Sequence, residues 1–177
     1  MFQTIDQWDK FFLQYVLSGH TAFLDNFFLI LTQLGNSSSV IIITVALAGW
    51  LIYKNKISTA KVLLLSVIGS ALLGQILKHI IGRPRPEMAL YRLDSFSFPS
   101  GHATSALALY GTIIYIVFKL IDSGLKRTAI IVCCGVMIFL IGFSRIYLGF
   151  HYLSDVLGGF VLAGVWLLLT LKFLKRK

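Results

Sequence analysis

His151 and Asp155 stand four residues apart, the spacing that puts two side chains on one face of a helix. At that spacing the carboxylate can reach one ring nitrogen, fix the tautomer and make the other nitrogen a better base or nucleophile. His102 supplies a second imidazole, and two at one site allow one to attack while the other protonates a leaving group. Lys78, Arg85 and Arg145 would surround the reacting group with positive charge. A phosphate dianion fits such a cluster, because guanidinium groups grip its oxygens in pairs. Ser100 and Gly101 precede His102 in "PSGH", residues 99–102. Ser100 can cap the helix that follows, Gly101 allows close backbone approach, and the free N–H groups there form a ready anion site. Each fragment alone has a plainer reading. "PSGH" can be only a helix cap, the His–Asp pair only an interfacial ion pair, and Lys78 a snorkelling surface lysine. "GRPRP", residues 82–86, can be a stiff loop whose arginines bind lipid headgroups. The chemistry requires that three segments distant in sequence meet.

The elements that would bring them together are membrane helices. Of the 177 residues 57% are hydrophobic and only 13% charged, and the mean hydropathy is +0.84, with charges clustered between apolar runs. A membrane-crossing helix takes roughly 17 to 25 residues. Five stretches qualify, 37–53, 58–81, 102–121, 128–144 and 147–172, which predicts an all-α transmembrane bundle forming one domain over 1–177. Within it, 36–177 is expected to be the catalytic bundle and 1–35 an interfacial N-terminal region. Residues 1–18 place Ile5, Trp8, Phe12, Tyr15 and Val16 at helical spacing with Asp6, Asp9 and Lys10 between, an amphipathic pattern. The run 21–35 is short for a span and carries Asp25. No signal-peptide pattern opens the chain. Cys133 and Cys134 are helix neighbours pointing apart, which reads as packing and not as a disulfide or metal pair.

Alternation of five spans gathers ten of the sixteen Lys and Arg on one side: Lys54, Lys56, Lys61, Lys119, Lys126, Arg127, Lys172, Lys175, Arg176 and Lys177. The positive-inside rule makes that side, and the C-terminus, cytoplasmic and the N-terminus external. The net charge of +9 is thus a topology signal, and nucleic-acid binding is not expected. Lys10, Lys78, Arg83, Arg85, Arg92 and Arg145 fall on the other side, against the bias, and alternation brings His102 and His151 to that same face. Ser66, Ser70, Gly74 and Lys78 form one four-residue row, and His151, Asp155, Gly159 and Ala163 another. Small residues in such rows let membrane helices pack closely, and ionisable groups in them usually face the bundle interior and are functional.

"KHIIGRPRP" at 78–86, "PSGH" at 99–102 and "SRIYLGFHYLSD" at 144–155 together resemble the three signatures of the type 2 phosphatidic acid phosphatase superfamily, in order, over roughly residues 25 to 172. The resemblance implies a phosphohistidine mechanism. His151 would be the nucleophile and Asp155 its orienting acid. His102 would protonate the leaving group and then activate water, while Lys78, Arg85, Ser100, Gly101 and Arg145 would bind the phosphoryl group. No metal and no cofactor are expected, and the seven acidic residues are scattered. The expected substrate is a lipid phosphate within the bilayer, with the site on the extracytoplasmic face of the plasma membrane. The compact chain looks like a small bacterial member. Such members act on phosphatidylglycerol phosphate, phosphatidate or undecaprenyl diphosphate. Those dedicated to the last often carry Asp where Gly101 stands, which favours a glycerophospholipid. A phosphotransferase would use the same intermediate, and a vanadate-dependent peroxidase shares the motifs but is large and soluble. Integral-membrane members usually have six spans, so a sixth is expected to precede residue 1 or to be lacking in this branch.

Overall fold

The computed structural model describes residues 2–91 and 94–175. Arg92, Arg176 and Lys177 of the charge pattern lie outside them. The described residues contain seven α-helices: α1 Phe2–Leu17, α2 Ala22–Thr32, α3 Ser37–Tyr53, α4 Ile57–Ile81, α5 Gly101–Leu120, α6 Leu125–Tyr147 and α7 Leu153–Lys175. Helices α4, α5, α6 and α7 are each long and apolar enough to cross a membrane.

The expected span 37–53 coincides with α3, but the candidate span is longer and includes α2. Helix α3 has 17 residues, and a 3₁₀ turn at Gln33–Gly35 joins it to α2 with a bend of 46°, so that α2 and α3 together make the fifth candidate span. The break has a local cause. Asn36 leaves the helix in an extended conformation and its side chain accepts from the Ser39 N–H at 2.8 Å, which starts α3 afresh. The run 21–35 is therefore continuous with the bundle through α3, and α2 packs against α6. The last span begins later than expected, at Leu153, because Leu148–Tyr152 form a loop.

Helix α5 is the centre of the bundle and contacts α4, α6 and α7. Its buried Ala106, Leu109 and Ile116 meet Leu51, Leu63 and Ile141 in the main apolar core. The row Ser66, Ser70, Gly74 and Lys78 is buried on α4, and the row Asp155, Gly159 and Ala163 on α7. Small side chains let the backbones approach where packing, not water, drives association. The outer surface carries Ile41, Val45, Ile68, Leu72, Val132, Phe139, Val161 and Leu168, an apolar girdle suited to lipid. Cys133 faces outward and Cys134 inward, both free.

Helix α1 lies against α6 and α7. Asp6 and Lys10 of its polar residues are exposed, but Asp9 is turned inward. Asp9 is buried against the protein, whereas Trp8, Phe11 and Tyr15 are exposed. The carboxylate is drawn inward by the groups it meets there, described next.

Candidate active site

Three breaks in the helical pattern converge: the loop after α4, the loop leading into α5, and the loop between α6 and α7. His151 lies in the last of these and not on α7 itself, so its pairing with Asp155 rests on loop geometry. Gly149 makes the turn possible, with φ +74°, and a Cβ there would fall 2.7 Å from the Met88 carbonyl. The His151 N–H then donates to the Arg145 carbonyl at 3.1 Å, which ties the loop to the end of α6. Asp155 sits in the first turn of α7 and is fully buried.

Around the His151 ring the two nitrogens have distinct partners. Nδ1 lies 3.5 Å from Asp155 Oδ2 and 3.4 Å from Ser97 Oγ. Arg85 Nη1 approaches Nε2 at 3.1 Å as a donor and also donates to the Phe150 carbonyl at 2.8 Å. Because Nε2 accepts, the ring proton belongs on Nδ1, facing the carboxylate. Burial pushes the His151 pKa down to about 4, with the hydrogen bond of Asp155 opposing and the charges of Arg85 and Arg145 adding to the fall. The imidazole is therefore neutral at physiological pH, with Nε2 unprotonated and its lone pair turned toward Arg85.

Asp155 is held by more than histidine. Its Oδ2 accepts from the Tyr152 N–H at 2.9 Å and from the Ser97 hydroxyl, and its Oδ1 from Arg83 Nη1 at 2.8 Å. Arg83 also lies over the Tyr152 ring, 4.4 Å from its centroid. Burial works against the Arg83 charge, but Asp9 and Asp155 outweigh it and raise its pKa above the ordinary guanidinium value. Arg83 and Ser97 are thus site residues that sequence reasoning missed. In "GRPRP" the sequence offers Arg83 as a headgroup-binding loop arginine or as a positive charge against the topology bias, and Ser97 carries no spacing signal.

The cations are differently bound. Lys78 Nζ donates to the Phe96 carbonyl at 2.7 Å, and Arg85 Nε and Nη2 donate to the Ser95 carbonyl and hydroxyl at 2.7 and 2.9 Å. Burial lowers the Arg85 pKa from its ordinary value without threatening its charge at neutral pH. Arg145 is almost fully buried, lies over Phe150, and donates through Nη1 to Thr32 Oγ1 at 3.1 Å, leaving Nε without a partner.

Ser100 and Gly101 open α5, as the sequence suggested, but the serine does not cap with its side chain. Its Oγ is buried and unpartnered, so the first N–H groups of α5 stay open. The Ser100 N–H instead donates to the Asp155 carbonyl at 3.0 Å, joining α5 to α7. Gly159 permits this contact, since a Cβ there would fall 2.8 Å from the Ser100 carbonyl and 2.9 Å from Thr104 Oγ1. At Gly101 a Cβ would meet open space. His102, the second residue of α5, lines a cavity of about 110 Å³ with Lys78, Gly101, Ser70, Thr104 and Ser105, and lies within electrostatic reach of Arg145, His151 and Arg85. The fold therefore draws Lys78, Arg85, Ser100, Gly101, His102, Arg145, His151 and Asp155 to one end of the bundle. Unpaired buried donors beside a neutral, oriented imidazole can accommodate an anion and attack it.

Residues 59–177 match the family described as the PAP2 superfamily. Phosphatidylglycerophosphatase B of Bacillus subtilis is 37% identical over 134 residues, covering 75% of this chain and 66% of that protein. Lipid A 1-phosphatase of Rhizobium etli is 34% identical over 166 residues, covering 80% of this chain and 67% of the relative. The chain thus spans about two thirds of the length of these relatives. In three dimensions it is similar to the crystal structure of the transmembrane PAP2-type phosphatidylglycerolphosphate phosphatase from Bacillus subtilis, with a TM-score of 0.89 and 32% identity over 98% of this chain and 87% of that one. With its apolar helices, its shared bundle and a family match over most of its length, the chain is an integral membrane protein that belongs to the PAP2 superfamily.

Proposed function

We propose that the protein is a membrane lipid phosphatase that hydrolyses a glycerophospholipid phosphomonoester, phosphatidylglycerol phosphate first among them, through a phosphohistidine on His151. What carries the reading is the cluster itself: a buried neutral His151 paired with Asp155, ringed by Lys78, Arg85, Arg145 and the open N-terminus of α5. Nε2 attacks phosphorus and the bond to the lipid oxygen breaks. His102 gives that oxygen a proton, and the ring proton on Nδ1 stays with His151, balanced by Asp155. In the second half His102 takes a proton from water, whose oxygen displaces the histidine nitrogen and releases inorganic phosphate. The cations and the α5 N–H groups would stabilise charge on the equatorial oxygens in both steps, which requires no metal ion.

The substrate's phosphate would enter from the extracytoplasmic leaflet while its tails remain between or beside the helices. This orientation rests on the basic edges: Lys54, Lys56 and Lys61 near the α3–α4 turn and Lys119, Lys126 and Arg127 at the α5–α6 turn fall opposite the site. The site would then face outward from the plasma membrane and the C-terminus inward. The exposed Trp8, Phe11 and Tyr15 of α1 suit the headgroup zone of the site's own leaflet.

A substrate panel on the purified protein tests this reading. Phosphate release from phosphatidylglycerol phosphate, phosphatidate, and undecaprenyl mono- and diphosphate is compared in mixed micelles with and without chelator. The expected result is metal-independent hydrolysis, fastest on a glycerophospholipid. Failure to release phosphate from any of the four would refute it, and labelling of a lipid acceptor in place of phosphate release would make the protein a phosphotransferase.

A further inference from the structure

We propose that Asp9 of α1, a helix outside the bundle's spans, is a positioning residue of the active site, acting through Arg83 and Ser154 on Asp155. The inference rests on the hydrolytic reading above. Asp9 is 4% exposed, although Trp8 and Phe11 near it are 69% and 64% exposed, and it shares the inward face of α1 with the buried Leu13, so its carboxylate has been taken from water. A buried carboxylate persists only when it is paired and hydrogen-bonded. Here Oδ1 accepts from the Ser154 N–H at 3.0 Å, and Oδ2 from Arg83 Nη2 at 2.8 Å and from the Ser154 hydroxyl.

Both contacts lead to Asp155. Ser154 is the second residue of α7, whose first N–H groups lack partners within the helix, so Asp9 supplies from another helix the cap that α7 needs. Arg83 then spans the two carboxylates, with Nη2 on Asp9 and Nη1 on Asp155 Oδ1, at 2.8 Å each. Nη1 also donates to Ser154 Oγ at 2.6 Å. A guanidinium is a rigid fork, so fixing one edge fixes the other. Asp6 accepts from the same Nη2 at 2.8 Å but is 59% exposed on its side chain and is the weaker anchor. Without Asp9, Arg83 keeps Asp155 at one edge and only a solvated partner at the other. The oxygen facing His151 Nδ1 is then less firmly placed.

The experiment separates positioning from a tether that merely holds α1 down. kcat and KM are measured on phosphatidylglycerol phosphate for wild type, Asp9→Asn, Asp155→Asn and the double variant. Asp9→Asn is expected to lower kcat about tenfold with KM within about twofold, and to lower the residual rate of Asp155→Asn by less than about twofold, because its effect passes through Asp155. A rate for Asp9→Asn within about twofold of wild type overturns the inference. So does the same tenfold loss in both backgrounds, the additive outcome of a general loss of structure. Where Asp9→Asn does not insert as a monodisperse protein, Asp9→Glu takes its place in the cycle with the same expectations, since it keeps the charge but its extra methylene moves the carboxylate off Arg83 and the Ser154 N–H. An active wild type with an unaffected Asp9→Asn defeats only this inference. A wild type inactive on every lipid phosphate defeats the proposed function, and this inference with it.

Discussion

Asp155→Asn is the substitution whose consequence the geometry fixes most closely. The carboxylate is fully buried and uses both oxygens, Oδ1 toward Arg83 and Oδ2 toward the Tyr152 N–H, the Ser97 hydroxyl and His151 Nδ1. An amide of the same shape cannot serve both sides. With its oxygen toward Tyr152, its NH₂ meets the Arg83 donor head on. Turned the other way, its NH₂ faces the Nδ1 proton of His151, the ring shifts tautomer, and Nε2 carries the proton instead of the lone pair. Losing one hydrogen bond to a charged group costs about 1.5–3 kcal/mol, and the wrong tautomer in a serine-protease triad costs about 10⁴ in kcat. Arg85 Nη1, 3.1 Å from Nε2, still favours the productive tautomer and limits the damage. We therefore expect kcat to fall about 10³-fold, some 4 kcal/mol at 1.36 kcal/mol per factor of ten, with KM changed less than about threefold because the phosphate-binding groups are untouched. Initial rates of phosphate release in mixed micelles measure both constants. A loss of less than tenfold, or a loss carried by KM, would refute the orienting role of Asp155.

Acid should act on His151 through folding as well as catalysis. Its folded-state pKa is depressed to about 4 from an ordinary 6.5, so its contribution to stability is complete above pH 6.5 and is lost as the unfolded chain takes up a proton between there and pH 4. The melting temperature of wild type should fall more across that window than that of His151→Gln, and parallel curves would contradict it. Arg145→Lys removes the fork whose Nε is free and whose plane lies on Phe150, and should lower kcat/KM about 10²-fold while the protein still folds. Equal activity would mean that a point charge suffices. Gly159→Ala brings a Cβ to 2.8 Å from the Ser100 carbonyl and should cost about 1–3 kcal/mol of stability by thermal unfolding. It should also lower the rate by shifting the start of α5, and an unchanged melting temperature would show that the α5–α7 approach is slack.

The bundle was legible because hydropathy and charge clustering report directly on lipid exposure. Helices α4, α5 and α6 begin and end within three residues of the expected spans. The bend between α2 and α3 was not, since it is made locally by the 3₁₀ turn at Gln33–Gly35 and the Asn36 cap, and such a cap leaves no mark in a hydropathy pattern. His151 and Asp155 were paired from helical spacing, yet they meet because a left-handed Gly149 turns the loop back. Fixed spacings marked the groups expected to touch phosphate. The groups around them were hidden, because Ser97 and Arg83 meet Asp155 from the α4–α5 connection and Asp9 of α1 meets Arg83, and no sequence distance encodes such contacts. Asp9 was most deceptive, since among exposed aromatics it imitates the solvated side of an interfacial helix.

The central claim is that His151 carries the phosphoryl group, and trapping the intermediate tests it most directly. Purified protein is mixed with lipid substrate bearing phosphorus-32 at the scissile phosphate, quenched in alkaline detergent within the first turnover, and mapped by peptide. The account predicts an acid-labile, alkali-stable label on the peptide containing His151, absent from His151→Ala, which should also release no phosphate. Label on any other residue, or wild-type turnover by His151→Ala, would contradict it.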